Sequence, residues 1–362
     1  KILCEAPIDT ITCGVNYERP YQAPEKPELT DEKPEEESLE LLHDEWSSLV
    51  AHPNVASREH LYRHYDPEVR GSTVLRPGEA DAGVVAPVAG SEIGVAIAAD
   101  GNPLLGLADP YIGGVMAVVE AARNVACVGG RPAAITDCLN FGNPEVPEVM
   151  WQFRESVRGV GEACRGLTLH ANSEVPLPVV SGNVSLYNQS KSGKSVAPSP
   201  ICACVANVKD ISNCRSMHLK DPGNRLVLIG APTEDLGATL YKENGGIAGT
   251  EKVSQPDLPV FRAEINAVCS LVEAGFVQSA HDISDGGIAV AIAEMCIGQT
   301  THEQLGANIA IPEELSGLTA REFLFSERGG FIVEIREEDL ESAEKILADT
   351  SFYIFGSVTD FD

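Results

Sequence analysis

Arg131-Pro-Ala-Ala-Ile-Thr-Asp-Cys-Leu-Asn-Phe-Gly-Asn-Pro144 decides how this chain is read. Its first eight residues, up to Cys138, are mostly apolar and predict a buried strand. From 139 to 147, Asn140, Gly142, Asn143 and two prolines predict a loop. Asp137 is then a carboxylate at the end of an apolar strand, where an open α/β sheet commonly presents ligand groups. It could hold Mg2+ or accept a hydrogen bond from a nucleotide, and a turn-forming role explains the same Asp and Asn residues equally well.

The same alternation continues on both sides. Residues 94–99 predict a strand and 113–124 a helix; 148–164 has helical spacing through Trp151, Phe153, Val157 and Val160, and 178–181 predicts a further strand. After Asp210 the pattern restarts with a strand at 225–229, helices at 259–274 and 288–296, and a glycine-rich stretch between the first two. The expected fold class is α+β, a two-layer α/β packing, in a unit of two domains spanning 38–210 and 211–362. Towards the start, residues 1–10 read as strand text, and 1–16 is expected to be the last strand of something upstream. Pro20, Pro24, Pro27 and Pro34 among Glu and Lys make 17–37 an acidic linker. Leu39, Leu42, Trp46, Leu49 and Val50 restore helical spacing, and Ser57 could cap a short helix over 57–64.

Composition bounds the function. The 362 residues carry 54 Asp plus Glu against 26 Lys plus Arg, a formal net charge of -28. That excludes a nucleic-acid binder working through a basic surface. With 43% hydrophobic and 22% charged residues the chain has ample material for a core. No membrane-spanning run and no basic-apolar leader is evident, so a cytoplasmic protein is the default expectation. An acidic surface repels phosphates, so a phosphate ligand must be met by Mg2+, backbone N–H groups or a helix N-terminus. The ten cysteines form no CxxC pair and read as reduced, buried thiols.

Three further constellations carry chemistry. In Asp109-Pro-Tyr-Ile-Gly-Gly114, Asp109 is an ordinary cap and the glycines allow close packing, although their N–H groups could also approach an anion. In Ser181-Gly-Asn-Val-Ser185, Gly182 permits close backbone approach, Asn183 offers a neutral oxygen to Mg2+ and Ser185 a hydroxyl; the alternative is a polar turn. In His281-Asp-Ile-Ser-Asp-Gly-Gly287, Ser284 or Asp285 is an ordinary cap for the following helix, and His281, Asp282 and Asp285 are the candidate ligands.

Together with 65–74 and 325–330, these motifs in this order resemble the synthetase subunit of phosphoribosylformylglycinamidine synthase, from Trp46 to the C-terminus. Relatives such as aminoimidazole ribonucleotide synthetase share the fold but not the Asp-Cys-Leu-Asn-Phe-Gly-Asn-Pro run. The resemblance implies an aminoimidazole ribonucleotide synthetase-like unit with a dimerisation-type N-terminal sheet domain. It also implies that this chain is the second of two tandem copies, without the half that carries the catalytic His. No catalytic base is assigned. The implied reaction converts formylglycinamide ribonucleotide, ATP and glutamine-derived ammonia to the amidine, ADP and phosphate through an iminophosphate. Ammonia is expected from a glutaminase subunit with a small accessory subunit, because Cys138, the only near-candidate nucleophile, lies in the nucleotide loop. The implied roles are Asp137 and Gly182 contacting ATP, Asn183 binding Mg2+ and Ser185 contacting substrate. Asp109, Asn140, His281, Asp282 and Asp285 rank second. The chain departs from the family at 167–175, 189–198 and 213–220. A scaffold half with an auxiliary nucleotide site and a small-molecule kinase of the same fold are the competing readings.

Overall fold

The structure is a computed structural model that describes residues 1–2, 5–14, 18–25, 38–247, 249–298 and 304–360. In chain order the elements are α1 (Ile8–Thr12), α2 (Leu39–Val50), α3 (Glu59–Tyr62), β1 (Thr73–Leu75), β2 (Gly83–Val85), β3 (Gly94–Asp100), α4 (Pro103–Ala108), α5 (Pro110–Cys127), β4 (Gly130–Asn140), α6 (Pro147–Leu167), β5 (Val179–Ser185) and β6 (Ser199–Val208). There follow β7 (Arg225–Ile229), α7 (Leu240–Glu243), α8 (Leu258–Glu273), β8 (Val277–Asp282), α9 (Gly287–Ile297), β9 (Leu305–Ile309), α10 (Ala320–Phe325), β10 (Phe331–Ile335), α11 (Leu340–Leu347) and β11 (Phe352–Asp360).

The strands form two sheets, of order β1-β2-β3-β6-β4-β5 and β8-β10-β7-β11-β9. All pairs are antiparallel except β4 with β5. Strand alternation explains how each sheet is covered. On β7, Val227 and Ile229 pack with α8, while Leu226 and Leu228 pack with α9 and α10, so the second sheet is covered on both faces. On β6, Cys202, Cys204 and Ala206 are buried against α5 and α6, whereas Ile201, Ala203 and Val205 on the opposite face are only half-buried. That face of the first sheet also carries Val85 and Ile97, both exposed, the latter at 49%. It is apolar and bare among the described residues.

The core that positions the site runs through both units. Helix α5 is apolar almost all round and lies between the first sheet and α8, whose Phe261, Ile265 and Val268 join the same cluster. Its close approach to α6 is made by small residues. A Cβ at Gly114 would strike the Ser156 carbonyl, and one at Gly159 the Tyr111 carbonyl. Helix α2, capped by Ser38, docks on the second unit: Trp46 Nε1 donates to the Ala289 carbonyl at 3.0 Å and Arg321 pairs with Glu45 at 2.9 Å.

Several expectations need correction. Residues 8–12 are a short helix with no buried residue, not part of a strand; the strand-like reading of 1–10 otherwise falls partly on 3–4, outside the described residues. Of the linker, 26–37 lies outside the described residues, and 18–25 rests on the start of α6, with Arg154 over the Tyr21 ring and the Gln22 N–H donating to the Pro147 carbonyl. Among the cysteines Cys13 is exposed, and Cys138, Cys214 and Cys296 are half-buried.

Candidate functional site

Asp137 does not end its strand. Pairing with both β5 and β6 carries β4 on to Asn140, and Gly182 and Asn183, for which a polar turn is the alternative reading, lie inside β5. Register then sorts the predicted residues. Asp100, Cys202, Asp137 and Gly182 form one row across β3, β6, β4 and β5, on the face that α5 and α6 cover. Two strand spacings put Asp100 and Asp137 about 10 Å apart. Gly182 is required in this row, because a Cβ there would run into the Asp137 carboxylate. Partial burial pushes the Asp137 carboxyl up, and its charge in turn helps burial push the Cys164 thiol on α6 up to about 11.

Asn183 and Ser185, one and three positions on from Gly182, face the other side of the sheet, in register with Cys138 and Asn140. Asn140 Nδ2 donates to the Cys138 carbonyl at 3.0 Å and the Ser199 carbonyl at 3.2 Å, while Asn188 holds the end of β5 by donating to the Ser185 carbonyl at 2.8 Å. The four first-rank residues are therefore split between two faces. They converge only around β5, an edge strand exposed along nearly its whole length.

The motif at 109–114 has the bland role. Asp109 caps α5 by accepting from the N–H groups of Tyr111 and Ile112, at 3.0 and 3.2 Å, and both glycines serve close packing. The motif at 281–287 reads the other way. The N-cap of α9 is Gly286 in a left-handed conformation with no side-chain cap, and its N–H donates to Glu327 at 2.7 Å. Ser284 and Asp285 are thus left facing a cleft.

That cleft, of about 710 Å3, is lined by His52, Asn54 and Arg58 on one side and by Asp100, Glu120, Ser284, Asp285 and Glu294 on the other. Asp100 ends β3, Glu120 is an acidic residue inside the apolar α5, and Asp282 ends β8, so the junction of the two units gathers carboxylates from separate elements. Burial pushes Asp100 up to about 6, with the Asp285 charge adding to the effect. Burial and then the Asp100 charge drive Glu120 well above the usual carboxylate range, and burial with Asp81 does the same to Asp282. Carboxylates so placed must either hold protons or share a cation.

The donor type, though not the present spacing, suits a hard cation. Asp100, Glu120, Asp282 and Asp285 supply oxygens only, and the Asn124 amide lies 3.2 Å from both Asp282 oxygens, where either its nitrogen donates or its oxygen joins a cation's shell. No three of Asp100, Glu120, Asp282 and Asp285 bring ligand atoms within 4.8 Å of one another; among the described residues only Asp81, His281 and Asp282 do so. There the imidazole already occupies the cation's place. His281 Nδ1 lies 2.7 Å from Asp81 and Nε2 2.9 Å from Glu294, and these carboxylates raise His281 well above its ordinary value against the effect of burial. His281 is therefore a brace for Asp282, whose N–H donates to the second Asp81 oxygen at 2.9 Å.

Comparison with known proteins agrees with this architecture. Residues 79–208 match the family described as AIR synthase related protein, N-terminal domain, and 221–361 match its C-terminal domain. The chain belongs to the AIR synthase related proteins. It is 45% identical over 332 residues to the phosphoribosylformylglycinamidine synthase subunit PurL of Methanothrix thermoacetophila, covering 91% of this chain and 42% of that protein. The AIR synthase fold also appears in T. maritima PurL complexed with FGAR, at a TM-score of 0.67 and 18% identity over 88% of this chain and 49% of that one. T. maritima PurL complexed with ATP gives 0.54 and 19% over 94% and 44%. The chain thus spans less than half the length of the PurL proteins it matches.

Asp100, Glu120 and Glu327 escaped the sequence reading. The available signal was an acid and an arginine, Glu120 and Arg123, inside the otherwise apolar helix text 113–124.

Proposed function

We propose that this chain is the second half of an ATP-dependent synthetase that forms formylglycinamidine ribonucleotide, and that its acidic junction is a Mg2+-nucleotide site. The observation that carries the reading is the gathering of Asp100, Glu120 and Asp285, from two units, along one ligand-sized cleft, with the buried Asp282 behind them. In a chain of net charge -28, polyphosphate can approach such a cluster only with a cation between them. Asp100, Glu120, Asp282 and Asp285 would hold Mg2+, with Asn124 beside them. When bound, the ion would screen phosphate charge and orient the chain of phosphates.

Asp137 and Gly182 are proposed to contact ATP, Asn183 to bind Mg2+ and Ser185 to contact substrate. On the bare face Asn183 has Cys138 and Ser185 has Asn140 in register, so its neighbours in that row offer no carboxylate, and the rest of an oxygen shell on Asn183 would be water or carboxylates of an upstream half. An upstream half paired with the bare apolar face would bring them. In the proposed reaction the amide oxygen of formylglycinamide ribonucleotide takes the γ-phosphoryl group, and ammonia displaces phosphate from the resulting iminophosphate. The ammonia would come from glutamine through a glutaminase subunit with a small accessory subunit, in the cytoplasm.

The scaffold reading, an auxiliary nucleotide site in a half without catalysis of its own, is favoured over a small-molecule kinase by the split of Asp137 and Ser185 between two faces. Turnover separates them. The purified chain with substrate, ATP, Mg2+ and ammonia is expected to form no amidine, and to do so once an upstream half is added. Amidine formation by the chain alone at the rate of the two halves together would refute the reading.

A further inference from the structure

The turn that presents Ser284 and Asp285 is held from outside its own motif. Glu327 Oε1 accepts from the Gly286 N–H at 2.7 Å and from the Leu240 N–H, at the start of α7, at 2.8 Å. A capping box would supply the first of these bonds from inside the helix, and α9 has none. Ser326, 2% exposed, extends the clamp by accepting from the Thr233 N–H at 3.1 Å. Gly286 and Gly287 are both left-handed, at φ 83° and 68°, and a Cβ at Gly287 would strike the Leu324 carbonyl. The two glycines thus let the turn lie directly against the end of α10 and the residues that follow it. Beside the cleft lies a cavity of about 40 Å3 that shares Asn102, Glu120, Ser284 and Asp285 with it and has Glu327 in its wall.

We propose that Glu327 is a positioning residue, one of whose oxygens locks the starts of α7 and α9 together and so sets Ser284 and Asp285 at the cleft for the ligand that enters it. The inference rests on reading the cleft as a nucleotide site and on no particular cation geometry. Two backbone N–H groups from separate elements converge on a single acceptor, so removing that acceptor orphans both at once. The turn then keeps its glycines and loses the bond that fixes its direction.

Glu327→Gln retains a carbonyl oxygen for both N–H groups, Glu327→Ala removes it, and formate can refill the space that Ala leaves. Calorimetric titration of the full chain with ADP and Mg2+, well below each melting temperature, is paired with hydrogen exchange at the Gly286 and Leu240 amides. Glu327→Ala is expected to bind ADP about tenfold more weakly and to exchange faster at both amides, with formate restoring part of each, while Glu327→Gln stays within about threefold of wild type. Glu327→Asp, whose oxygen falls short of both N–H groups, takes the place of Glu327→Ala if that variant does not fold, and the same loss is expected. If Asp285→Asn weakens ADP binding and Glu327→Ala leaves it unchanged, Glu327 only braces the fold and the inference is overturned alone. Glu327→Gln as weak as Glu327→Ala would also overturn it, because charge rather than the shared acceptor would then matter. If wild type binds no ADP, or binds it with no loss in Asp285→Asn, the nucleotide reading of the cleft falls and takes the inference with it.

Discussion

Gly182 and Asp137 face each other across two parallel strands, and their fit makes a sharp prediction. Gly182→Ala should cost about 1–3 kcal/mol, because the new methyl meets a carboxylate held between strand and helix. Asp137→Ala in the same chain should recover most of that loss, and a double-mutant cycle by chemical denaturation measures the coupling. Asp137→Asn keeps the size and should leave stability near normal while weakening ATP binding, as calorimetry would register. Lys220, in the stretch that departs from the family, carries a pH dependence of its own. Burial holds its ammonium down to about 8 despite the nearby Glu334 charge. A lysine depressed in the fold contributes stability above its unfolded value near 10.5 that is lost as pH falls through about 8. Lys220→Met should therefore flatten that part of the stability profile in pH-dependent unfolding.

At the scale of elements, periodicity made β7, α2, α5 and α6 legible, because each buries one stripe or nearly its whole surface. The extent of β4 and β5 was not legible. Asn140 and Gly182 have the chemistry of turns, and only strand pairing, a long-range fact, keeps them in strands: Gly182 by β4, and Asn140 by β5 and β6. The acidic junction was half legible for the same reason: Asp282 and Asp285 share one motif, while Asp100 and Glu120 reach it from distant positions on other elements. The α5–α6 crossing tests the packing directly. Gly159→Leu puts a side chain where the Tyr111 carbonyl lies and should cost about 2–3 kcal/mol, with a matching fall in denaturation midpoint.

Among the described residues the second sheet is covered on both faces and the first is bare on one, with Val85 and Ile97 exposed there. Such a face suits a partner, and the proposed one is the upstream half that the family resemblance implies. The junction of the two units is proposed to hold Mg2+ with a nucleotide. Anomalous diffraction from crystals of the chain grown with Mn2+ and ADP tests it most directly. Mn2+ peaks are expected within ligand distance of Asp100, Glu120 and Asp282 with nucleotide phosphates beside them; nucleotide bound elsewhere and no peak among those carboxylates would refute the site.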